Sequence, residues 1–297
     1  MFTGLSAFPL TPFKNERVDF AAFEKLVTNL VGARVESICA MGSTGLYPYL
    51  SQEDFANVAK KTVELANGLP VMVGIGALRT VDVIKNAEAA QKAGVSAVLL
   101  APQTYHPLHE HEVLSLYEDV TAELSVPLCV YENPGVTQFT FSDELYHKVS
   151  RLHGVKAIKI PGVPFATENG ALRLEQLRRI VPDSVAIGVS GDKFGSRGML
   201  AGCDLWFSVV AGLFPRTLQR LMQAAQSGQS AAAITSSEQL DGLWEQFARN
   251  RGGLRVMATA AEILGYVEGN CLPAPLKPLG KEDRTTLVNL LKQLQLD

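Results

Sequence analysis

Short apolar runs alternate with longer segments of helical period along most of this chain. The runs read Thr3–Phe8, Ser37–Met41, Pro70–Ile75, Ser96–Ala101, Val126–Tyr131, Val155–Ile160, Ser184–Val189 and Leu205–Val210, each the length of a strand buried on both faces. They recur at intervals of roughly thirty residues, the size of a βα unit. Between them, Phe20–Gly32, Gln52–Asn67, Val81–Ala93, His111–Leu124, Ser142–Leu152 and Leu172–Ile180 repeat apolar side chains at three- and four-residue spacing. Ser51, with Asp54 three residues later, supplies a capping pair for the second of these helices. Eight such strands alternating with helices predict an α/β fold, a closed (β/α)8 TIM barrel. The competing architecture, an open doubly wound sheet, calls for a glycine-rich turn after the first strand, and Ala7-Phe8-Pro9-Leu10-Thr11-Pro12 is not one.

Past Phe214 the strand pattern stops. Arg216–Gln226, Ala231–Asn250, Arg255–Gly265 and Lys281–Leu296 read as helices, broken at Gly228, at Gly252-Gly253 and in the proline-rich Leu272–Pro278. The expected division is a barrel over residues 1–228 and a helical C-terminal extension over 229–297, packed on the barrel or on a partner subunit. No low-complexity linker separates the two, so independent motion of the extension is not expected.

Composition narrows the partners. With 47% hydrophobic and 19% charged residues the chain can bury a large core, and a net charge of −3 argues against nucleic acid and anionic membranes. Apolar runs such as Ala93–Pro102 are too short to cross a bilayer. The start, Met1-Phe2-Thr3-Gly4-Leu5-Ser6, lacks a basic leader before an apolar run, so no secretory signal is expected. The four cysteines, Cys39, Cys129, Cys203 and Cys271, show no metal-like spacing and read as reduced core thiols of a cytoplasmic protein.

The sixth run, Val155-Lys156-Ala157-Ile158-Lys159-Ile160-Pro161-Gly162, carries a lysine near its C-terminal end. In a barrel of this kind chemistry gathers at that end. An amine walled in by Ala157, Ile158 and Ile160 is costly to keep charged, and a neutral amine attacks carbonyls. Lys156 points to the opposite face and reads as a solvated charge. The fifth run ends at Tyr131, a phenol that passes protons once hydrogen-bonded to other hydroxyls. The second ends Met41-Gly42-Ser43-Thr44-Gly45, hydroxyls and backbone N–H groups that suit a carboxylate and lack the lysine of a phosphate loop. The seventh ends Ser190-Gly191-Asp192-Lys193, and Phe207 in the eighth is a further wall of the same mouth. Amine, phenol, hydroxyls and backbone donors on one rim are what an imine-forming aldolase requires. His106-Pro107-Leu108-His109-Glu110-His111-Glu112 imitates a metal cluster, but no two of its histidines stand at the i, i+4 spacing of a zinc helix, so no metal is expected.

The ordered set of Ala7–Phe13, Gly42-Ser43-Thr44-Gly45, Val130–Pro134, Ile158-Lys159, Ser190-Gly191-Asp192 and Pro273–Lys277 resembles the dihydrodipicolinate synthase/N-acetylneuraminate lyase family over essentially the whole length. The resemblance implies a Schiff-base lysine at Lys159, a proton-relaying Tyr131 assisted by Thr44, a pyruvate carboxylate site at Ser43 and Thr44, no cofactor, and a homotetramer built from dimers. Departures bear on the substrate. Leu46 stands where the family usually has glutamate, Val136 where the dihydrodipicolinate-forming members have an arginine, and Lys193 and Phe194 where sialic-acid lyases have aspartate and glutamate. Thr104 takes the place of the tyrosine lent across the dimer, leaving Tyr105 one position late as the possible cross-subunit relay.

The resulting expectation is a class I aldolase joining pyruvate to an aldehyde, or cleaving the product, of keto-sugar-acid or hydroxy-oxoglutarate type. Ser43, Thr44, Gly45, Gly191, Phe207 and Lys193 are the expected substrate contacts, with Lys193 suited to an acidic aldehyde. The alternatives are 4-hydroxy-tetrahydrodipicolinate synthase, a metal-dependent lyase using the histidine stretch, and a pyruvate-binding barrel that has lost catalysis.

Overall fold

In the computed structural model, which describes residues 2–297, eight parallel strands close on themselves; Met1, where the leader reading starts, lies outside the described residues. They are β1 (Gly4–Ala7), β4 (Ser37–Ala40), β5 (Val71–Gly74), β6 (Ala97–Leu100), β7 (Leu128–Tyr131), β8 (Val155–Pro161), β9 (Ala186–Ser190) and β10 (Leu205–Ser208). The two short strands between β1 and β4, β2 (Phe13–Lys14) and β3 (Arg17–Val18), form a separate hairpin. Each barrel strand pairs in parallel with its neighbours, and β1 closes the ring between β10 and β4.

Helices α1 (Phe20–Ala33), α2 (Gln52–Leu65), α3 (Thr80–Ala93), α4 (Glu110–Ala122), the single turn α5 (Pro134–Thr137), α6 (Asp143–Val149), α7 (Asn169–Ile180), α8 (Asp192–Leu200) and α9 (Pro215–Gln226) follow the strands around the outside. Their starts are written in the sequence. The Asp19 carboxylate accepts from Ala22 N at 3.0 Å, Ser51 Oγ from Asp54 N at 3.1 Å, and Ser142 Oγ from Leu145 N at 3.1 Å, each satisfying a donor that a first helical turn leaves free.

Side-chain alternation divides the core in two. Leu5, Ala7, Ile38, Val98, Val130, Ile158 and Ile187 face outward and pack under the helices. Phe8, Cys39, Leu99, Cys129, Tyr131, Ala157, Leu205 and Phe207 face inward and fill the barrel, as the two-residue period of a strand requires.

Beyond the barrel lie α10 (Ser230–Glu238), α11 (Asp241–Arg249), α12 (Gly253–Ile263) and α13 (Lys281–Leu294). The single helix expected over Ala231–Asn250 is therefore two. The chain breaks at the buried Leu240, and the Trp244 indole N–H returns to the Ser237 carbonyl at 3.2 Å, satisfying an acceptor at the end of α10. The extension packs on its own barrel. Phe13 N donates to Cys271 O at 2.9 Å, Thr217 Oγ1 to Asp297 Oδ1 at 2.8 Å, and one apolar cluster runs from Leu5 through to Leu291. Among the described residues, no helix is long and apolar enough to cross a membrane.

Candidate active site

Strand register brings the central groups together. Tyr131 on β7 lies opposite Lys159 on β8, and Lys159 lies opposite Gly188 on β9. Lys159 shares the inward parity of Ala157 and is only 3% exposed, whereas Lys156 is exposed at the other end of the strand. Its Nζ sits 3.9 Å from the centre of the Phe8 ring, 4.0 Å from that of Tyr131 and 5.3 Å from that of Phe207. The walls are aromatic rings from neighbouring strands. They are not the residues beside the lysine in sequence, because Ile158 and Ile160 point to the outer face. The Lys159 nitrogen thus has aromatic faces around it in place of water.

Two glycines make room for these rings. A Cβ on Gly42 would lie 2.5 Å from the Phe8 ring, and one on Gly188 would lie 2.5 Å from the rings and branches of Phe207 and Leu205. Phe8 and Phe207 then meet edge to face at 6.0 Å. Beneath them Cys39 and Cys129 are buried free thiols; burial pushes the Cys39 thiol up to about 12 and raises Cys129 as well, which keeps both uncharged.

The turn after β4 is wound tightly. Met41 and Leu46 adopt left-handed φ of 55° and 60°, and a Cβ on Gly45 would fall 2.7 Å from Met41 N. Thr44 is buried in this turn, and Ser43 Oγ accepts from Asn133 Nδ2 at 3.3 Å. Asn133, the second residue after Tyr131, thus fixes a hydroxyl of the turn. Glu132 turns the other way: its carboxylate accepts from Phe141 N at 3.0 Å and from the Tyr146 hydroxyl. Burial holds this carboxyl above the usual range even though both hydrogen bonds pull it down.

Asp192 locks the far side of the mouth. It accepts from Trp206 Nε1 at 3.0 Å, Val209 N at 3.0 Å and Val210 N at 2.9 Å, so it holds the end of β10 and is not free for a ligand. Ser190 Oγ donates to Ile160 O at 2.9 Å, tying β9 to the strand that carries Lys159. Gly191 takes a φ of 87° between them.

Above the turn a cavity of about 420 Å³ opens, lined by Ser43, Thr44, Gln103, Val136, Arg251 and Arg255 among others. Ser43 and Thr44 line this cavity, and Tyr131 and Phe207 are buried in the barrel interior. Lys193 does not join them. It is exposed on α8 and faces a different cleft, toward Glu238 and Asp241. Tyr105 is 83% exposed and rests edge-on against His106. The histidine stretch leads into α4 as an exposed helix start, and among the described residues no group of three or more His, Cys, Asp or Glu could hold a metal ion.

Four participants were not singled out from sequence. Phe8 was legible, being two residues on from the inward Ser6 at a strand end. Tyr47 packs over Gly76, near enough to Tyr131 for its own hydroxyl to be raised by burial and then by that neighbour. Arg251 and Arg255 come from the extension, where no local pattern pointed to the mouth.

A family model described as the dihydrodipicolinate synthetase family matches residues 1–294. The chain belongs to that family. It is 29% identical to the 4-hydroxy-tetrahydrodipicolinate synthase of Nitrobacter hamburgensis, over 97% of this chain and 96% of that protein. The crystal structure of a dihydrodipicolinate synthase from Agrobacterium tumefaciens superposes with a TM-score of 0.94 at 39% identity, covering 99% of this chain and 98% of that one. A chloride-inhibited dihydrodipicolinate synthase from Acinetobacter baumannii, solved in complex with pyruvate, aligns along 100% of both chains at 25% identity and a TM-score of 0.89. The dihydrodipicolinate synthetase family consists of pyruvate-dependent class I lyases that work through a lysine Schiff base without a metal cofactor. This member of the family buries Leu46 in its apolar core and leaves Val136 62% exposed on the rim of the mouth.

Proposed function

We propose that this protein is a class I aldolase that breaks or forms the C3–C4 bond of a 4-hydroxy-2-oxo acid, with pyruvate as one product or substrate, of the keto-sugar-acid or hydroxy-oxoglutarate type. In the cleavage direction the Lys159 amine adds to C2 and water leaves, giving a protonated imine. Tyr131, with Thr44 beside the same mouth, takes the proton of the C4 hydroxyl. The C3–C4 bonding pair moves into the imine as an enamine and the aldehyde departs. Protonation at C3 and hydrolysis then return pyruvate and the free amine. Ser43, Thr44 and the backbone around Gly45 hold the C1 carboxylate, and Gly191 and Phe207 bound the pocket.

The observation that carries this reading is the Lys159 nitrogen enclosed at 3.9 Å and 4.0 Å by the Phe8 and Tyr131 rings. Borohydride reduction in the presence of pyruvate tests it: one peptide, the one containing Lys159, acquires the adduct. A label on Lys156, or none, overturns the assignment. A pyruvate-induced thermal shift without any trapped adduct favours a barrel that binds and does not catalyse.

The names of the curated relatives support a second reading, 4-hydroxy-tetrahydrodipicolinate synthase. Val136 speaks against it, since a valine cannot grip the carboxylate of that enzyme's aldehyde. Condensation assays with that aldehyde and with a series of others separate the two. We also take the protein to be a homotetramer, a dimer of dimers, with the exposed Tyr105 offered to a neighbour's mouth; light scattering of the purified protein tests the assembly.

A further inference from the structure

We propose that Arg251 and Arg255, carried by the turn from α11 into α12, select 2-oxo acids bearing a second carboxylate at the end remote from the imine. This inference rests on the aldolase reading and adds the substrate class.

The cavity over the Ser43-Thr44 turn is lined by two cations. Two other clefts balance their cations with acids. One sets Lys60, Lys85 and Lys92 against Glu64 and Glu88, and another sets Lys193 and Arg197 against Glu238 and Asp241. In the cavity above the mouth the charged lining residues are Arg251 and Arg255, and among the described residues no acid lines it. Neither guanidinium has an ion-pair or hydrogen-bond partner among those residues, although Arg255 is half-buried. Gln103 lines the same cavity, and its Oε1 is buried without a donor, an acceptor left for a ligand hydroxyl.

A planar guanidinium pairs with a carboxylate through two parallel hydrogen bonds, stronger and more directional than those of an ammonium. The Ser43 and Thr44 hydroxyls, the two arginines and the apolar Val136 all line the one cavity. A chain held at C1 by the turn and at C2 by Lys159 extends its far end into that cationic space. The preference for an acidic partner that sequence reading attached to Lys193 thus falls to residues of the extension.

Borohydride trapping of imines provides the test, using 2-oxoglutarate and 2-oxopentanoate, which share a chain length and differ in the distal carboxylate, with pyruvate as reference. Neither longer acid carries a C4 hydroxyl, so trapping reads binding without cleavage. Wild-type protein is expected to reach half-maximal adduct with 2-oxoglutarate at a concentration about tenfold below that for 2-oxopentanoate, the scale of one charge-assisted contact. The Arg251→Gln/Arg255→Gln double variant is expected to lose that preference, measured against pyruvate in the same protein. Equal trapping of the two acids by wild type overturns the proposal. So does a preference that survives the double substitution, or a change in oligomer size with the preference retained, which assigns the arginines to a subunit contact. Failure to trap pyruvate itself marks the failure of the aldolase reading instead, and this inference falls with it.

Discussion

Lys159 and Tyr131 face each other across adjacent strands, with the lysine nitrogen 4.0 Å from the centre of the phenol ring. The contact places the ring as both wall and proton carrier, and substitution separates these roles. Lys159→Ala removes the nucleophile and should abolish borohydride-trapped adduct. Tyr131→Phe keeps the ring against the amine and loses only the hydroxyl. Turnover should drop about 10²–10⁴-fold, the usual worth of a proton relay, while slow trapping at Lys159 persists. A Phe variant with normal turnover would remove Tyr131 from the mechanism.

Gly188 tests the packing around the amine. The Cβ of a Gly188→Ala variant would lie 2.5 Å from Phe207 and from Leu205, in a barrel interior with no slack. We expect a loss of about 1–3 kcal/mol in urea unfolding, typical of overpacking, together with weaker pyruvate trapping as the Phe207 ring is displaced. Gly135, whose Cβ would meet nothing within 4 Å, is the control: Gly135→Ala should stay within about 0.5 kcal/mol.

Asp192 tests what holds the mouth's far side. Asp192→Ala leaves the Trp206 indole N–H and the Val209 and Val210 amides without their acceptor. Each buried donor so stranded costs about 1–3 kcal/mol, so the variant should lose at least about 3 kcal/mol by denaturant unfolding. A near-neutral result would mean that water replaces the carboxylate.

Glu132 makes a prediction about pH. Burial raises its carboxyl in the folded protein, so the native state binds that proton more tightly than the unfolded chain. Its contribution is then full below the ordinary glutamate value, near 4.3, and declines as pH rises through the elevated native value. Stability of wild type minus that of Glu132→Gln should therefore fall with increasing pH across this window and level off above it. Urea titrations of both proteins between mildly acid and neutral pH give the difference, and a rise in place of a fall would reverse the assignment.

The thiols provide an inexpensive check on the interior. All four are buried and free, and burial pushes Cys39, Cys203 and Cys271 up to about 12. Native protein should react negligibly with an aromatic disulfide reagent at neutral pH, because the thiolate is the reacting species. Denatured protein should yield all four. A fast native thiol would show that the barrel opens more readily than its packing implies.

What the chain's own pattern determined is the set of properties that depend on near neighbours. Strand and helix periods follow from backbone geometry within a few residues, so the eight strands, their helices and the barrel could be read directly. The same alternation separated inward Lys159 from exposed Lys156. The sequence also marked the Met41–Leu46 turn through its glycines and hydroxyls. It misjudged Lys193, because a helix turns about 100° per residue, and the step from Asp192 to Lys193 carries the side chain from the barrel to the surface. It could not show the cage of Phe8, Tyr131 and Phe207 or the guanidinium groups over the mouth. Those groups are far apart along the chain and meet only when the ring of strands closes and the extension folds back across it. No short-range regularity encodes such a meeting; closure of the whole barrel does.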